Sequence, residues 1–439
     1  MSATRTRRMA MLSVAGVSAL ALALTGCTAG GSENEDGSVT LSVLVDNGES
    51  TVTLFDALGE AFTEANPDIT IDVETRPPGA EGDNLIKTKL STGEMNDVFF
   101  YNTGSLLQAL NPDDTLVNLS EEEWVGTLDE NFAESAGTDD AIYGAPGGSS
   151  MGGVMLYNKD IYAELGLEIP KTWDEFMANN QKILDSGVAA PVIQTYADTW
   201  SSQLFVLGDF YNVSAEDPDW AAEYTANNRK YAEEPALHGF EDLQAVHDAG
   251  YLNEDFASAT YDDGVRMISE GAGAHYPMLT FAAPAISANY PDAVDTVGAF
   301  PIPGRDASKN GLTVWMPSAL YIPKSTEGAT LDAAKKFLAF VASTDGCDVM
   351  NEQAAPTGPY VVEGCELPEE VPALVSDMQP YFDSGDTGLA LEFVSPVKGP
   401  ALEQLTVTAG SGIDTAESAA AKYDEDVKKQ AQQLGLEGW

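Results

Sequence analysis

Histidine is scarce in this chain, with 3 among 439 residues, and none stands beside a serine or cysteine in a nucleophile motif. Gly-x-Ser-x-Gly, a P-loop, His-Glu-x-x-His and Cys-x-x-Cys are all absent, so the common signatures of acyl-transfer, nucleotide and zinc chemistry are missing. His238 and His247 share no metal spacing and read as surface residues. No EF-hand loop is present either; Asp217-Pro218-Asp219 and Asp262-Asp263 offer calcium a weak hold at most. Basic residues are few, 21 Lys and Arg against 70 Asp and Glu, for a formal net charge of −49. Such a surface repels nucleic acid and anionic membranes, suits solubility outside the cell, and disfavours a polyanionic ligand. With this many acids a glycosidase pair stays open by count, although no pair stands out. Beyond the first 26 residues no stretch is long and apolar enough to cross a membrane, and there are no internal repeats. The hydrophobic content of 44% excludes a disordered chain and supplies enough core for two lobes.

What is present begins with an export signal. Arg5, Arg7 and Arg8 precede an apolar run over 9–24, so 1–26 reads as a signal peptide. Leu24-Thr25-Gly26-Cys27 resembles the bacterial lipobox. That resemblance implies that Cys27 becomes a diacylated N-terminus, and two acyl chains suffice for stable anchoring. An ordinary secretory signal with a chance cysteine is the other reading, and Arg7-Arg8 lacks the rest of a twin-arginine pattern. Residues 27–38 are the lipidated cysteine and a Gly/Ser/Asn/acid tether that cannot bury a core. Export also puts Cys347 and Cys365 in an oxidising compartment, where a disulfide is the default. The loop it closes is worth about 3 kcal/mol by chain entropy. The cysteine count of 3 then fits one lipid and one bridge.

The folded part opens with alternation. Residues 39–45 read as a strand, 51–66 as a helix with Val52, Phe55, Leu58 and Phe62 on one face, and Pro67 ends it. A strand over 69–74, a helix over 84–91 and a strand over 97–101 follow, which predicts an α/β lobe with a largely parallel sheet. Ligands of such sheets sit beyond the carboxyl ends of the strands, which picks out Asp46, Asn47 and Asn102. Asp46 and Asn47 are also ordinary turn formers. The Gly147–Gly153 stretch reads as a flexible connection through Ser149. Beyond it, Val154-Met155-Leu156 is a short buried strand and 160–165 a helix closed by Gly166. Thr172 with Glu175 is a capping box opening the next helix. A strand at 191–194 leads to the aromatic, polar loop 196–200 with Tyr196 and Trp200, then a helix over 201–210.

Three segments carry a family resemblance. Tyr143-Gly144-Ala145-Pro146, Tyr157-Asn158-Lys159 and Pro170-Lys171-Thr172-Trp173-Asp174-Glu175 match, in order and spacing, the middle of the extracellular solute-binding proteins of sugar ABC importers, the family that includes maltose-binding protein. Gly264, Met267 and Gly271 lie close to a further pattern of that family. So do Val297-Gly298-Ala299-Phe300-Pro301-Ile302-Pro303 and Ile322-Pro323-Lys324, with the helix over 331–343. The resemblance covers nearly all of 39–439. It implies a type II two-lobe periplasmic-binding-protein-like fold, each lobe a mostly parallel sheet flanked by helices, with a hinge between. Lobe 1 would hold 39–146 and 303–352, and lobe 2 147–302 and 353–439, with 312–315 as the return strand. Trp173 and Lys159 read as packing and structural residues.

By the same resemblance the loops carrying Asp46, Asn47 and Asn102 would contact ligand. Ser149, Tyr196, Trp200, Tyr276, Trp315, Glu392 and Phe393 are the other candidates. Core or rim roles stay open for Tyr276, a structural role for Trp315, and Glu392 and Phe393 are carried by position alone. The implied function is a lipid-anchored, monomeric binding subunit that captures a sugar, an oligosaccharide in preference to a monosaccharide, and hands it by hinge closure to permease subunits with a cytoplasmic ATPase. No catalysis, cofactor, metal or nucleic acid enters. The alternatives are a secreted carbohydrate hydrolase, or the same scaffold binding a polyamine, peptide or glycerol phosphate.

Overall fold

The computed structural model describes residues 37–138 and 140–439. The expected signal peptide, Cys27 and most of the expected tether lie outside the described residues. Eleven strands form among them: β1 (Val39–Asp46), β2 (Ile69–Arg76), β3 (Val98–Tyr101), β4 (Gly144–Pro146), β5 (Met151–Asn158), β6 (Ala190–Val192), β7 (Gly273–Leu279), β8 (Val297–Pro301), β9 (Leu312–Trp315), β10 (Ala319–Tyr321) and β11 (Thr387–Leu389). They make two sheets, each wrapped by helices, and the fold is the two-lobe arrangement expected.

The first sheet has the order β2-β1-β3-β10-β4, with β1 parallel to β2 and β3 and β10 antiparallel to both its neighbours. Alternation places Leu41, Val43 and Val45 in the core, where Phe55, Leu58 and Phe62 of the helix Glu49–Ala65 pack against them. That helix stops where Pro67 forbids continuation, and Asn66 N donates back to Phe62 O at 2.9 Å. The helix Gly328–Val341 packs into the same core through Ala334, Phe337, Leu338 and Val341, with the Phe337 ring 5.2 Å from that of Phe62.

The second sheet has the order β11-β9-β5-β7-β6, with β8 also on β5. Here the mostly parallel expectation fails. β5 runs antiparallel to β7, β8 and β9, because its partners return to it from the far side of the lobe. The glycine run also behaves differently from a flexible link. Met151, Gly152 and Gly153 are the first residues of β5, bonded to Trp315, Val314 and Thr313 of β9. The packing there is close: a β-carbon on Gly152 would lie 2.3 Å from Met378 Sδ. The helix anticipated over 201–210 is broken into Thr199–Gln203, Leu204–Leu207 and Phe210–Glu216.

The boundaries move for the same reason. β9 belongs to the second sheet, so the return to the first lobe falls at Met316–Ser318, between β9 and β10, and not at 303. The final crossing is later than 353. Asp129 N donates to Val361 O and Glu363 N to Thr127 O, which keeps the chain on the first lobe until Ala373 N reaches Val294 O in the second. The Cys347–Cys365 disulfide forms, with Cα atoms 5.9 Å apart, and pins this late segment to the first lobe. The first two crossings are tied to each other, and the first also to the segment that precedes the last: Gly147 N donates to Ser318 O, and Ser150 N to Pro359 O.

Candidate functional site

The lobes face each other across a cleft made of two adjoining chambers. The first is about 770 Å³. From the first lobe come Asn102 and Thr103, on the turn that follows β3, the position where parallel sheets present polar groups, and Leu106 on the short helix Ser105–Gln108. From the second come Trp200 and Gln203 on the short helix Thr199–Gln203, Trp315 at the end of β9, Glu392 and Phe393 on the helix Leu391–Val394, and Lys398. The second chamber, about 880 Å³, adjoins it, and the two share Met151 and Ser318.

Trp315 is held from two sides. Its indole Nε1 donates to Glu392 Oε1 at 2.5 Å, while Lys398 Nζ donates to Glu392 Oε2 at 2.8 Å. Both members of the ion pair are mostly buried, the side chains 24% exposed for Lys398 and 14% for Glu392, so the carboxylate is fixed with both oxygens in use. Trp200 is braced by Tyr261 and Phe281, with ring centroids 5.5 and 5.7 Å away, and shows its remaining face to the cavity. Rigid aromatic faces with neighbouring amides and a fixed carboxylate suit a ligand that is apolar on its faces and polar on its rim.

The lobes already touch at one edge. Gly104, at φ 67°, leaves room there for Glu392 and Phe393: a β-carbon would stand 2.4 Å from Glu392 O and 2.8 Å from Phe393 Cδ1. Charges also face each other. Burial pushes the Asp83 carboxyl of the first lobe up, and Tyr101, Lys87, Arg76 and, across the cleft, Lys398 pull it back down.

Asn102, Trp200, Trp315, Glu392 and Phe393 thus come together in one chamber, and Ser149 lines the other. Ser149 is nearly buried and its hydroxyl pairs with Thr357 Oγ1 at 2.9 Å, which makes it part of the crossing lacework. Asp46 ends β1 and Asn47 follows it, and neither lines a chamber; Asp46 Oδ1 instead accepts from Gly48 N at 3.0 Å, the turn-forming role. Tyr196 and Tyr276 are core residues. Tyr276 is fully buried with its hydroxyl on Thr195 Oγ1 at 2.9 Å, and Tyr196 stacks edge-on against Phe256. Burial raises both phenols well above their usual range. Gln203, Lys398, Met151 and Met316 also line the cleft and carried no sequence signal of their own. Only their neighbours Trp200, Glu392 and Trp315 pointed to the region. Among the described residues, no group of three or more metal-ligating side chains forms.

Two α/β lobes, three crossings and a ligand-sized cleft between them define a hinged binding protein of the type II periplasmic class. The chain belongs to the family of bacterial extracellular solute-binding proteins, whose pattern it matches over residues 47–346. It is 22% identical over 342 residues to the multiple sugar-binding protein of Streptococcus mutans serotype c, covering 77% of this chain and 79% of that one. Among solved structures it resembles a chitin oligosaccharide binding protein, with TM-score 0.76, 18% identity, and 90% and 99% of the two chains covered. It also resembles RafE in complex with raffinose, with TM-score 0.74, 20% identity, and 90% and 100% covered.

Proposed function

We propose that this protein is the substrate-capturing subunit of an ABC importer for a neutral sugar, an oligosaccharide in preference to a monosaccharide. In this reading it is held to the membrane through lipid on Cys27, and it delivers its ligand to permease subunits driven by a cytoplasmic ATPase. The observation that carries it is the Trp315–Glu392–Lys398 arrangement facing Trp200 in the first chamber. Sugar rings present apolar faces to indoles and equatorial hydroxyls to amides and carboxylates, and the chamber offers both. Glu392 and Lys398 are its charged residues and neutralise each other, so in a chain of net charge −49 the ligand meets no net field from the lining. That favours an uncharged solute over a polyamine or a glycerol phosphate. Raffinose and chitin oligosaccharide, the ligands named for two similar proteins, support the oligosaccharide preference.

Hydrolysis is disfavoured by the same lining. A glycosidase needs two carboxyl groups flanking the bond, and Glu392 is the one carboxylate among the residues lining these chambers. The test is a melting screen against mono-, di- and oligosaccharides, followed by calorimetry. At 100 times its Kd a ligand adds about 2.7 kcal/mol, and the bound sugar is expected back unhydrolysed. A flat response to the whole panel would overturn the sugar reading.

A further inference from the structure

The second chamber has a chemistry the first does not share. It is slightly larger, yet no carboxylate, amine, guanidinium or imidazole lines it. Its walls are Phe100 and Phe55 from the first lobe, Phe281 and Pro284 from the second, and Met350 and Tyr360 beside the last crossing. Several of its few hydroxyls are committed within the protein. Ser149 and Thr357 bond each other at 2.9 Å, Ser149 Oγ also accepts from Thr357 N at 3.0 Å, and Tyr360 donates to Asn351 Oδ1 at 2.9 Å. Ser50, Thr51 and Ser318 are the hydroxyls that remain.

A sugar ring carries several hydroxyls, each costly to bury without a partner. Three hydroxyls spread over a chamber of about 880 Å³ do not supply them. An aryl or alkyl group would meet ring faces, prolines and a methionine instead, and would displace water from apolar surface. The chamber adjoins the first one at Met151 and Ser318, which line both, so a substituent on a sugar held against Trp315 and Trp200 would lie next to it.

We propose that the second chamber is a subsite for an apolar aglycone, and that the preferred ligand is a neutral glycoside whose sugar occupies the Trp315 chamber and whose aryl or alkyl group occupies the Phe281 chamber. The inference rests on reading the cleft as a sugar site. Neutrality of both linings and the division into one polar and one apolar chamber are the observations that carry it.

The test is a calorimetric comparison on the purified protein, using cellobiose, maltose, galactose and raffinose, and the 4-nitrophenyl glycosides of the first three. An aryl glycoside binding at least tenfold more tightly than its parent sugar is expected. The variant Ala355→Trp, which places a ring in the second chamber, is expected to erase that difference while leaving parent-sugar affinity within about twofold. Ala355→Leu, a smaller intrusion at the same wall, serves as a second variant should the tryptophan impair folding, and is expected to lower the aryl preference. A parent sugar bound as tightly as its aryl glycoside overturns the aglycone subsite and leaves the sugar reading standing. An aryl preference that survives a folded Ala355→Trp variant overturns the location. No binding by any sugar or glycoside overturns both readings together.

Discussion

Gly153 and Trp315 sit diagonally on the adjacent strands β5 and β9, two residues apart in register: a β-carbon on Gly153 would stand 2.4 Å from Trp315 Cζ3. The indole lies over the glycine and reaches Glu392 at the cleft wall, so a packing requirement inside the second sheet sets the position of a candidate ligand platform. Gly153→Ala is expected to push the ring out of place. Overpacking of this kind costs about 1–3 kcal/mol of stability. Ligand affinity should fall at least tenfold, with a shift in tryptophan emission. A melt lowered in that range with unchanged affinity would separate Trp315 from binding.

Glu392 joins two partners, and the two substitutions that remove its charge should differ. Glu392→Gln keeps an acceptor for the Trp315 N–H and loses the ion pair with Lys398. Glu392→Ala leaves both the indole N–H and a mostly buried ammonium without their partner. An unpaired buried polar group costs about 1–3 kcal/mol. Calorimetry with any ligand found should therefore show a larger affinity loss for the alanine variant than for the glutamine variant. Equal losses would mean that the ligand reads the charge itself.

Much of this was legible in the chain. Alternation over 39–45, the Phe55/Leu58/Phe62 stripe and the Thr172–Glu175 capping box are local signals, and each appears where the spacing put it. The cleft residues Asn102, Trp200, Trp315, Glu392 and Phe393 followed from strand ends and from the family resemblance. What failed was non-local. Tyr276 and Tyr196 look like cleft aromatics until the helix around Gly264 and the helix around Gly410 are packed over them, with those glycines making room for the phenols. The glycine run at 147–153 looks flexible until β9 and Met378 are brought against it. Strand direction in the second sheet, and with it the lobe boundaries, depends on which distant segments return to β5, and no short window contains that.

Opening the Cys347–Cys365 bridge should destabilise without touching the site. The loop it closes has a sequence separation of 18, and chain entropy assigns such a loop about 3 kcal/mol. A Cys347→Ser, Cys365→Ser double variant is expected to melt several degrees lower, while its ligand Kd stays within about twofold, because neither residue lines a chamber. A large loss of affinity would instead tie the last crossing to closure.

Asp209 gives the protein a stability term that runs against the usual acid trend. Burial pushes its folded-state carboxyl up to about 7 from an ordinary 3.8, with the Asn212 amide and Arg305 only partly offsetting this. A raised carboxyl makes the folded state take up a proton the unfolded chain does not, between about pH 7 and 3.8. Stability from this group therefore rises as pH falls through that window, by at most about 1.4 kcal/mol per pH unit. His275 opposes it. Burial lowers its imidazole from 6.5 to about 3, so the unfolded chain protonates first and stability is lost below pH 6.5. Subtracting one chain from the other isolates Asp209. The unfolding free energy of the native protein minus that of Asp209→Asn should increase as pH drops from 8 to 4 in urea titrations. A difference independent of pH would mean that the carboxyl is solvated in the folded state.

Closure itself can be tested at Gly104, where the lobes meet with no space for a side chain. Gly104→Ala brings two effects: strain from a left-handed φ of 67°, and a methyl group wedged against Glu392 and Phe393. Gly93→Ala supplies the strain alone, since its φ is 71° and nothing lies within 4 Å of the added carbon. Both variants should lose about 1 kcal/mol or more of stability for the backbone conformation. Only Gly104→Ala should also hold the lobes apart, and small-angle scattering at saturating ligand should then give it a larger radius of gyration than the native protein and the Gly93→Ala control. Ligand affinity should fall with it, because a binding-competent closed state that is less populated reduces apparent affinity in proportion. If both variants close and bind alike, the Gly104–Phe393 contact is an incidental meeting of surfaces, and closure is governed at the laced crossings around Ser150 and Ser318 instead.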